Sequence, residues 1–518
     1  MSDVSPKPRP KGLSKSRFCC GLQCEKQLWW RVHEPDAPEL APAPSLQAIF
    51  DRGNRVGELA RERFPGGVLI DGDDLSFGER LRRTRDAIAG GALAIFEAAF
   101  AADGVYAAVD ALERRQDGWV LAEVKSTLDV KPAHIHDVAI QLHVLRTAGL
   151  DVRRAELMHL NRACTFPDLS NLFIRDDVTA PAEALLPAIP GQVRRFQEIL
   201  AGPLPVVDVG SQCRDPYECP FLARCWPQLP PHHVSTIYRV GSRAEELAAE
   251  GFALIHDVPE HLEFSEVATR QVRSVRNGEL VVEPSLGAAL RALEAPIAFL
   301  DFETINPAVP AWNGCHPYEI VPVQMSCHVQ DAEGRVTHHP HLAGRGSDPR
   351  PAMAEAVVTA CRGAKTVLAY NAPFERRCLE HLAAAVPAQS EALRDVVRRL
   401  QDLLPVVRDH AYHPDFGGSF GLKVVTRALL PDLAYGDLEI AEGGTASEVL
   451  EGMLLGAVVI PPETLAKLRT QLLAYCERDT LVMVRLLERL RALTAAGDGE
   501  DPAMRLLALG KAPQRNHE

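Results

Sequence analysis

No apolar run in this 518-residue chain approaches the roughly 20 residues that a membrane-spanning helix needs, so no membrane partner is expected. The first residues, MSDVSPKPRPKGLSKSRF, are basic but lack the apolar stretch of a signal peptide, which points to a cytoplasmic protein. Positive charge is also in deficit: 56 Lys and Arg stand against 69 Asp and Glu, a net charge of −13. The whole chain therefore exerts no attraction on a polyanion, and any nucleic-acid contact must be local. Arg52, Arg55, Arg61 and Arg63 form one candidate patch, Arg80, Arg82, Arg83 and Arg85 a second, and Arg394, Arg398 and Arg399 a third. Each run alone is more often a solvated helix face. Internal repeats are absent as well.

What is present is a globular composition, 46% apolar and 24% charged, over a length that calls for several domains. The pattern is α/β and multidomain. Residues 1–230 close on the proline-rich, cysteine-bearing segment PLPVVDVGSQCRDPYECPFLARCWPQLPP, 231–295 read as a helical connector, 296–495 alternate short apolar strands with helices, and 496–518 read as a flexible tail. Twelve cysteines in a cytoplasmic chain argue for metal binding or burial over disulfides.

In the third segment, an apolar strand over 298–304 carries Asp301 and Glu303 two apart, on one strand face. Alone, such a pair is most often a strand end meeting solvent. A second strand, 366–371, is followed by Ala-Pro-Phe-Glu375 and a helix from about Arg376, which places another acid at a strand-to-helix junction. A helix over 468–493 has a core stripe of Leu472, Cys476, Met483, Leu486, Leu487 and Leu490. Tyr475 and Asp479 are i and i+4 on it and share a face, where a phenol beside a metal-binding acid can orient a water.

These three motifs resemble those of the DEDD exonucleases, RNase-H-like enzymes, in the tyrosine subclass: D-x-E at Asp301 and Glu303, N-x-x-F-D at Asn371 to Glu375, and Y-x-x-x-D at Tyr475 to Asp479. The second motif departs from the family by ending in glutamate. Asp402 in LQDLLPVV and the segment GSFGLKVVTRALLPDL resemble that family's substrate-side helices. The resemblance implies an RNase-H-like domain in which Asp301, Glu303, Glu375 and Asp479 hold Mg²⁺ or Mn²⁺. Tyr475 would position the attacking water, and hydrolysis would run 3′ to 5′.

Nearer the N-terminus, residues 105–112 read as a strand bearing Asp110, Asp117-Gly118 as a two-residue hairpin turn, and 119–125 as the returning strand. Glu123 and Lys125 share a face of that strand, and Gln141 lies on a helix expected over 134–150. An E-x-K triplet alone means little. In this order the residues resemble the PD-(D/E)XK, restriction-endonuclease-like nucleases of the RecB type. That likeness implies Mg²⁺ or Mn²⁺ on Asp110 and Glu123, with Lys125 and Gln141 catalytic. The helix in which many such enzymes carry a metal-binding histidine has Gly57 at that place, with Glu58 as a stand-in.

Cys24 precedes Glu-Lys-Gln-Leu-Trp, and Cys213, Cys219 and Cys225 close the segment, with Cys19 or Cys20 as alternatives to Cys24. This resembles the iron-sulphur RecB-like exonucleases of the CRISPR-adaptation and AddB types, although those carry a closer late cysteine pair. The likeness implies a [4Fe–4S] cluster on the four thiolates, with Zn²⁺ as runner-up. Cys164, Cys315, Cys327, Cys361, Cys378 and Cys476 read as buried thiols. The two-part layout is similar to the domain of unknown function 2779 family. The expected function is a DNA exonuclease with two catalytic centres, acting on single strands or DNA ends in repair, recombination or defence. Two alternatives stay open, an impaired iron-sulphur scaffold that holds DNA ends and an RNA-trimming enzyme. Protein partners stay unknown at this point.

Overall fold

The computed structural model describes residues 12–41, 44–70, 75–440, 442–456 and 460–496. Apart from Ala496, the expected tail lies outside the described residues. The architecture is mixed α/β, in two compact units: Met1–Pro227 with Pro307–Glu319, and Gln228–Asn306 with Ile320–Glu518. No described helix is long and apolar enough to cross a membrane.

The first unit is built on a seven-stranded sheet. Its strands are β1 (Leu13–Ser14), β2 (Val68–Leu69), β3 (Ala94–Ala102), β4 (Val105–Arg115), β5 (Gly118–Lys125), β6 (Val152–Leu160) and β7 (Phe173–Asp177), in the order β2-β3-β4-β5-β6-β7 with β1 paired to β4. The β4–β5 hairpin turns on Gln116 and Asp117, one residue earlier than the Asp-Gly signal places it, because Gly118 already pairs with Arg115. Gly118 has φ +138°, and a Cβ there would meet the Asp151 carbonyl at 2.8 Å, so glycine is required by the close passage of the next strand. Helix α1 (Lys15–Gln23) follows β1 directly and α2 (Glu25–His33) follows α1. Helix α3 (Pro44–Arg61) precedes β2, and α4 (Phe77–Ala89) precedes β3. Helix α5 (Pro132–Thr147) buries Val138, Ile140, Leu142 and Leu145 with the sheet's Leu112 and Leu121.

The second unit contains β8 (Val281–Val282), β9 (Ile297–Ile305), β10 (Val321–Gln330), β11 (Val336–Leu342), β12 (Thr366–Ala369), β13 (Leu400–Asp402) and β14 (Ala411–Tyr412). Five of these form a mixed sheet ordered β11-β10-β9-β12-β13, antiparallel across β9, β10 and β11 and parallel from β9 through β12 to β13. Alternation along β9 explains its two faces. Ala298, Leu300 and Phe302 pack with helices α6 (Arg350–Ala360) and α7 (Pro373–Ala385), whereas Ile297 and Phe299 share a core with Met483, Leu486 and Leu490. The latter residues belong to the 35-residue helix α10 (Pro462–Ala496), which starts six residues earlier than its apolar stripe indicates; α8 (Leu422–Leu429) and α9 (Gly443–Leu455) precede it. Residues of the expected connector, among them Val234, Leu247, Val272 and Leu286, are buried in that same core and do not stand apart from it.

Candidate functional site

The side chains of Asp301 and Glu303 follow Phe299 on the β9 face that α10 covers. From that helix Asp479 meets them, and the carboxylates of Asp301, Glu303 and Asp479 offer oxygens that all lie within 4.8 Å of one another. Glu375 enters from the first turn of α7. That helix begins at Pro373, which suits the first helical position, and not at Arg376 as the pattern suggests. The preceding Asn371 has φ +68°, a conformation asparagine tolerates, and its N–H donates to Asp402 Oδ1 at 2.9 Å. Asp402 thus caps the junction that aims Glu375.

Four carboxyls from three elements, Glu303, Glu375 and Asp479 buried and Asp301 partly so, repel one another. Burial, then Asp479, Glu303 and Glu375, push Asp301 well above the usual carboxylate range. Burial with Asp479 lifts Glu303 to about 8, burial with Asp402 lifts Glu375 to about 8, and burial lifts Asp479 to about 6. The Lys423 ammonium, on α8, offsets Glu303 and Asp479 and stands 5.3 and 5.2 Å from the ring centres of Tyr435 and Tyr475. Tyr435 Oη donates to Asp479 Oδ1 at 2.5 Å, Tyr475 also bonds Asp479, and Cys476 Sγ donates to Asp301 Oδ2 at 3.5 Å. Glu375 Oε2 is buried with no hydrogen-bond partner. A cleft of about 300 Å³ opens onto the set, lined by Asp301, Tyr370, Lys423, Tyr475, Asp479 and Met483.

Sequence spacing brought out the four acids and Tyr475 but missed Tyr435 and Lys423. Lys423 lies inside the GLKVV segment already noted, whereas Tyr435 carries no periodic signal.

In the first unit, β4 and β5 stop pairing after Ala111 and Ala122, and the next residues are Asp110 and Glu123. Asp110 Oδ2 accepts from the Val124 N–H at 2.7 Å. Gln141 Nε2 donates to Glu123 Oε2 at 2.7 Å, and Lys125 Nζ reaches Glu123 Oε1 at 2.9 Å and Asp137 Oδ2 at 2.5 Å. Because β1 pairs with β4 at Val105 and Tyr106, α1 starts beside this gap, and Lys15 Nζ sits 2.9 Å from Glu123 Oε1. Sequence reasoning missed Lys15 and Asp137; the former lies over 100 positions away with no motif around it. Burial raises Asp110 to about 7, helped by Glu123. Burial works in the same direction on Glu123, but Lys15 and Lys125 outweigh it and hold that carboxyl well below its usual range.

Glu58 does not join this cluster. Its side chain is half exposed on α3 and pairs with Arg55 at 3.1 Å, on the side of the helix opposite to the buried Val56 and Ala60. Several arginines proposed as anion patches are likewise paired with nearby acids: Arg82 with Glu79 and Asp86, Arg83 with Glu79, Arg398 with Glu391 and Asp395, and Arg399 with Asp395. Their charge is largely spent locally.

All 12 cysteines are free thiols. Cys24, Cys213, Cys219 and Cys225 gather at one place: burial raises Cys219 to about 11, with Cys24, Cys213 and Cys225 close enough to add to it, and Cys24 and Cys213 also act on Cys225. Cys219 and Cys225 pack with Trp29, Trp30 and Phe221, and Gln23 Nε2 ties the neighbouring chain by donating to the Gln212 and Tyr217 carbonyls. Cys19 lies elsewhere, donating to Asp137 Oδ1 at 3.1 Å. The six scattered cysteines are buried.

Residues 298–421 match the family described as Domain of unknown function (DUF2779). The matched stretch takes in Asp301, Glu303, Glu375 and Asp402 and ends before Lys423, Tyr475 and Asp479. No curated protein matches the chain.

Proposed function

We propose that the second unit hydrolyses phosphodiester bonds of nucleic acid, as a DEDD-type, RNase-H-like exonuclease centre. One observation carries this reading. Four carboxyls gather, three buried and Asp301 partly so, each pushed toward its protonated form, and Glu375 Oε2 is buried with no hydrogen-bond partner. Such a donor set lacks cationic partners in proportion, and hard divalent cations bound by oxygen ligands fit it. Asp301, Glu303, Glu375 and Asp479 would hold Mg²⁺ or Mn²⁺. Bound there, the ions supply the Lewis acidity and the activated water of a two-metal phosphodiesterase. Lys423 faces the cleft, where its ammonium balances the charge of an entering phosphate. Tyr435 and Tyr475 hold the Asp479 carboxylate by hydrogen bonds, and Tyr475, close enough to Glu303 to feel its charge, would orient the attacking water. The five-stranded mixed sheet with helices on both faces is the kind of scaffold the resemblance calls for. DNA as substrate and 3′ to 5′ polarity rest on resemblance.

For the first unit the RecB-like reading is supported by the meeting of Asp110, Glu123, Lys125 and Gln141. Metal fits less well here, because Lys15 and Lys125 already balance Glu123. That favours a second reading for this unit, a holder of DNA ends with little hydrolysis of its own. The four-cysteine clasp fits a [4Fe–4S] cluster better than Zn²⁺. Zinc–sulphur bonds of about 2.3 Å put tetrahedral sulphurs about 3.8 Å apart, whereas the groups of described residues tight enough for one ion, with ligand atoms within 4.8 Å, contain no cysteine.

The test is degradation of labelled single- and double-stranded DNA by the purified full chain with Mg²⁺ or Mn²⁺. Progressive shortening supports the proposal, and intact substrate at protein excess with either metal overturns it.

A further inference from the structure

One strand over from Asp301, on the same sheet face, His328 of β10 stands directly opposite His338 of β11 in the antiparallel register. Their rings stack with centres 4.4 Å apart, and Glu477 of α10 completes a group whose ligand atoms all lie within 4.8 Å of one another. His328 is buried, His338 partly so, and the Glu477 side chain is half exposed.

Hydroxyls fix one nitrogen of each ring. Thr480 Oγ1 lies 2.7 Å from His328 Nδ1, Ser326 Oγ lies 2.9 Å from His338 Nε2, and the two hydroxyls are 2.6 Å apart. One direction of protons satisfies the whole chain. Thr480 Oγ1 donates to the Glu477 carbonyl at 3.2 Å, which can only accept. Thr480 then accepts from both His328 Nδ1 and Ser326, and Ser326 accepts from His338 Nε2. The lone pairs left over are on His328 Nε2 and His338 Nδ1, and the latter is 3.6 Å from Glu477 Oε1. Metal-binding histidines are characteristically oriented this way, with the second nitrogen donating to a fixed acceptor.

We propose that His328, His338 and Glu477 form a binding site for a transition-metal ion, Zn²⁺ being the best match, with a fourth position open to water. Two imidazoles and one carboxylate suit zinc, whereas the all-carboxylate set around Asp301 suits Mg²⁺ or Mn²⁺. Tetrahedral bonds of about 2.1 Å require ligand atoms about 3.4 Å apart, so binding would draw in the half-exposed Glu477 side chain and tilt His338. The ion would cross-brace β10 and β11 to α10 midway between Tyr475 and Asp479, so it serves to hold that helix in place. The inference does not depend on nuclease activity.

The test is equilibrium dialysis of Zn²⁺ against the full chain in excess Mg²⁺, with thermal melting of the same samples. Wild type is expected to bind one more tight equivalent than either His338→Ala or Glu477→Gln, and micromolar Zn²⁺ is expected to raise its Tm but not theirs. Equal melting temperatures in chelator show that the variants fold, and Glu477→Gln is a near-isosteric change on an exposed face. Asp301→Asn and Cys219→Ser should keep the extra equivalent. Equal zinc binding by wild type, His338→Ala and Glu477→Gln overturns the proposal, as does loss of the equivalent in Asp301→Asn alone.

Discussion

Glu303→Gln should make the metal-free protein more stable at pH 8 while removing its metal affinity. Burial and Asp479 lift Glu303 from 4.5 to about 8. The unfolded chain ionises near the ordinary value, so between about pH 4.5 and 8 the folded state holds a proton that the unfolded state has released. Stability falls as pH rises wherever the folded state binds more protons. The contribution is therefore whole below the unfolded value and lost as pH climbs through about 8. At about 1.4 kcal/mol for each tenfold change in acid strength, the strain on Glu303 reaches about 5 kcal/mol at pH 8. Because Asp301, Asp479 and Glu375 share that repulsion, removing one charge should recover about 2–5 kcal/mol. Urea unfolding in chelator at pH 5 and pH 8 measures it. Wild type should weaken between the two pH values and Glu303→Gln much less; Mn²⁺ should restore wild type at pH 8 and leave the variant unchanged. A Glu303→Gln variant destabilised at pH 8 in chelator would mean that Glu303 is a satisfied structural acid, and the reasoning fails.

Tyr435→Phe removes the 2.5 Å bond that favours ionised Asp479, so the acid limb of the pH profile of kcat/KM should move to higher pH; an unchanged limb denies Tyr435 that role. Lys15→Ala leaves Glu123 with one cation fewer, and breaking such a buried pair should cost about 3–5 kcal/mol in urea unfolding of the full chain. A loss under about 1 kcal/mol would place Lys15 outside the charge balance. Cys219→Ser should lower the iron content and visible absorbance of anaerobically purified protein to near zero; iron retained at the wild-type level would separate Cys219 from the clasp.

The acid centre was legible in the sequence because each of its elements is local. Alternation puts Asp301 and Glu303 on one strand face, and helical spacing puts Tyr475 and Asp479 on one helix face. What local pattern cannot carry is partnership over distance. Lys15 reaches Glu123 only because β1 pairs with β4, and Tyr435 reaches Asp479 from a short turn whose composition is ordinary. The Gly57 position led the reading to Glu58, but a neighbour in sequence is rotated by about 100° on a helix, and Glu58 faces solvent. Arg82 and Arg83 pair with acids three and four residues away on an exposed helix face, the solvated-face arrangement that such a run most often signals. The His328–His338 pair also escaped notice, since strand register and not spacing sets it.

The central claim, that the buried acids of the second unit are a phosphodiesterase centre, is tested most directly by comparing wild type, Asp110→Ala and Asp301→Ala on end-labelled DNA with Mn²⁺. Wild type should shorten the strand progressively, Asp301→Ala should lose that activity by about 10²-fold or more, and Asp110→Ala should retain most of it. Shortening that survives Asp301→Ala and vanishes in Asp110→Ala would contradict the account.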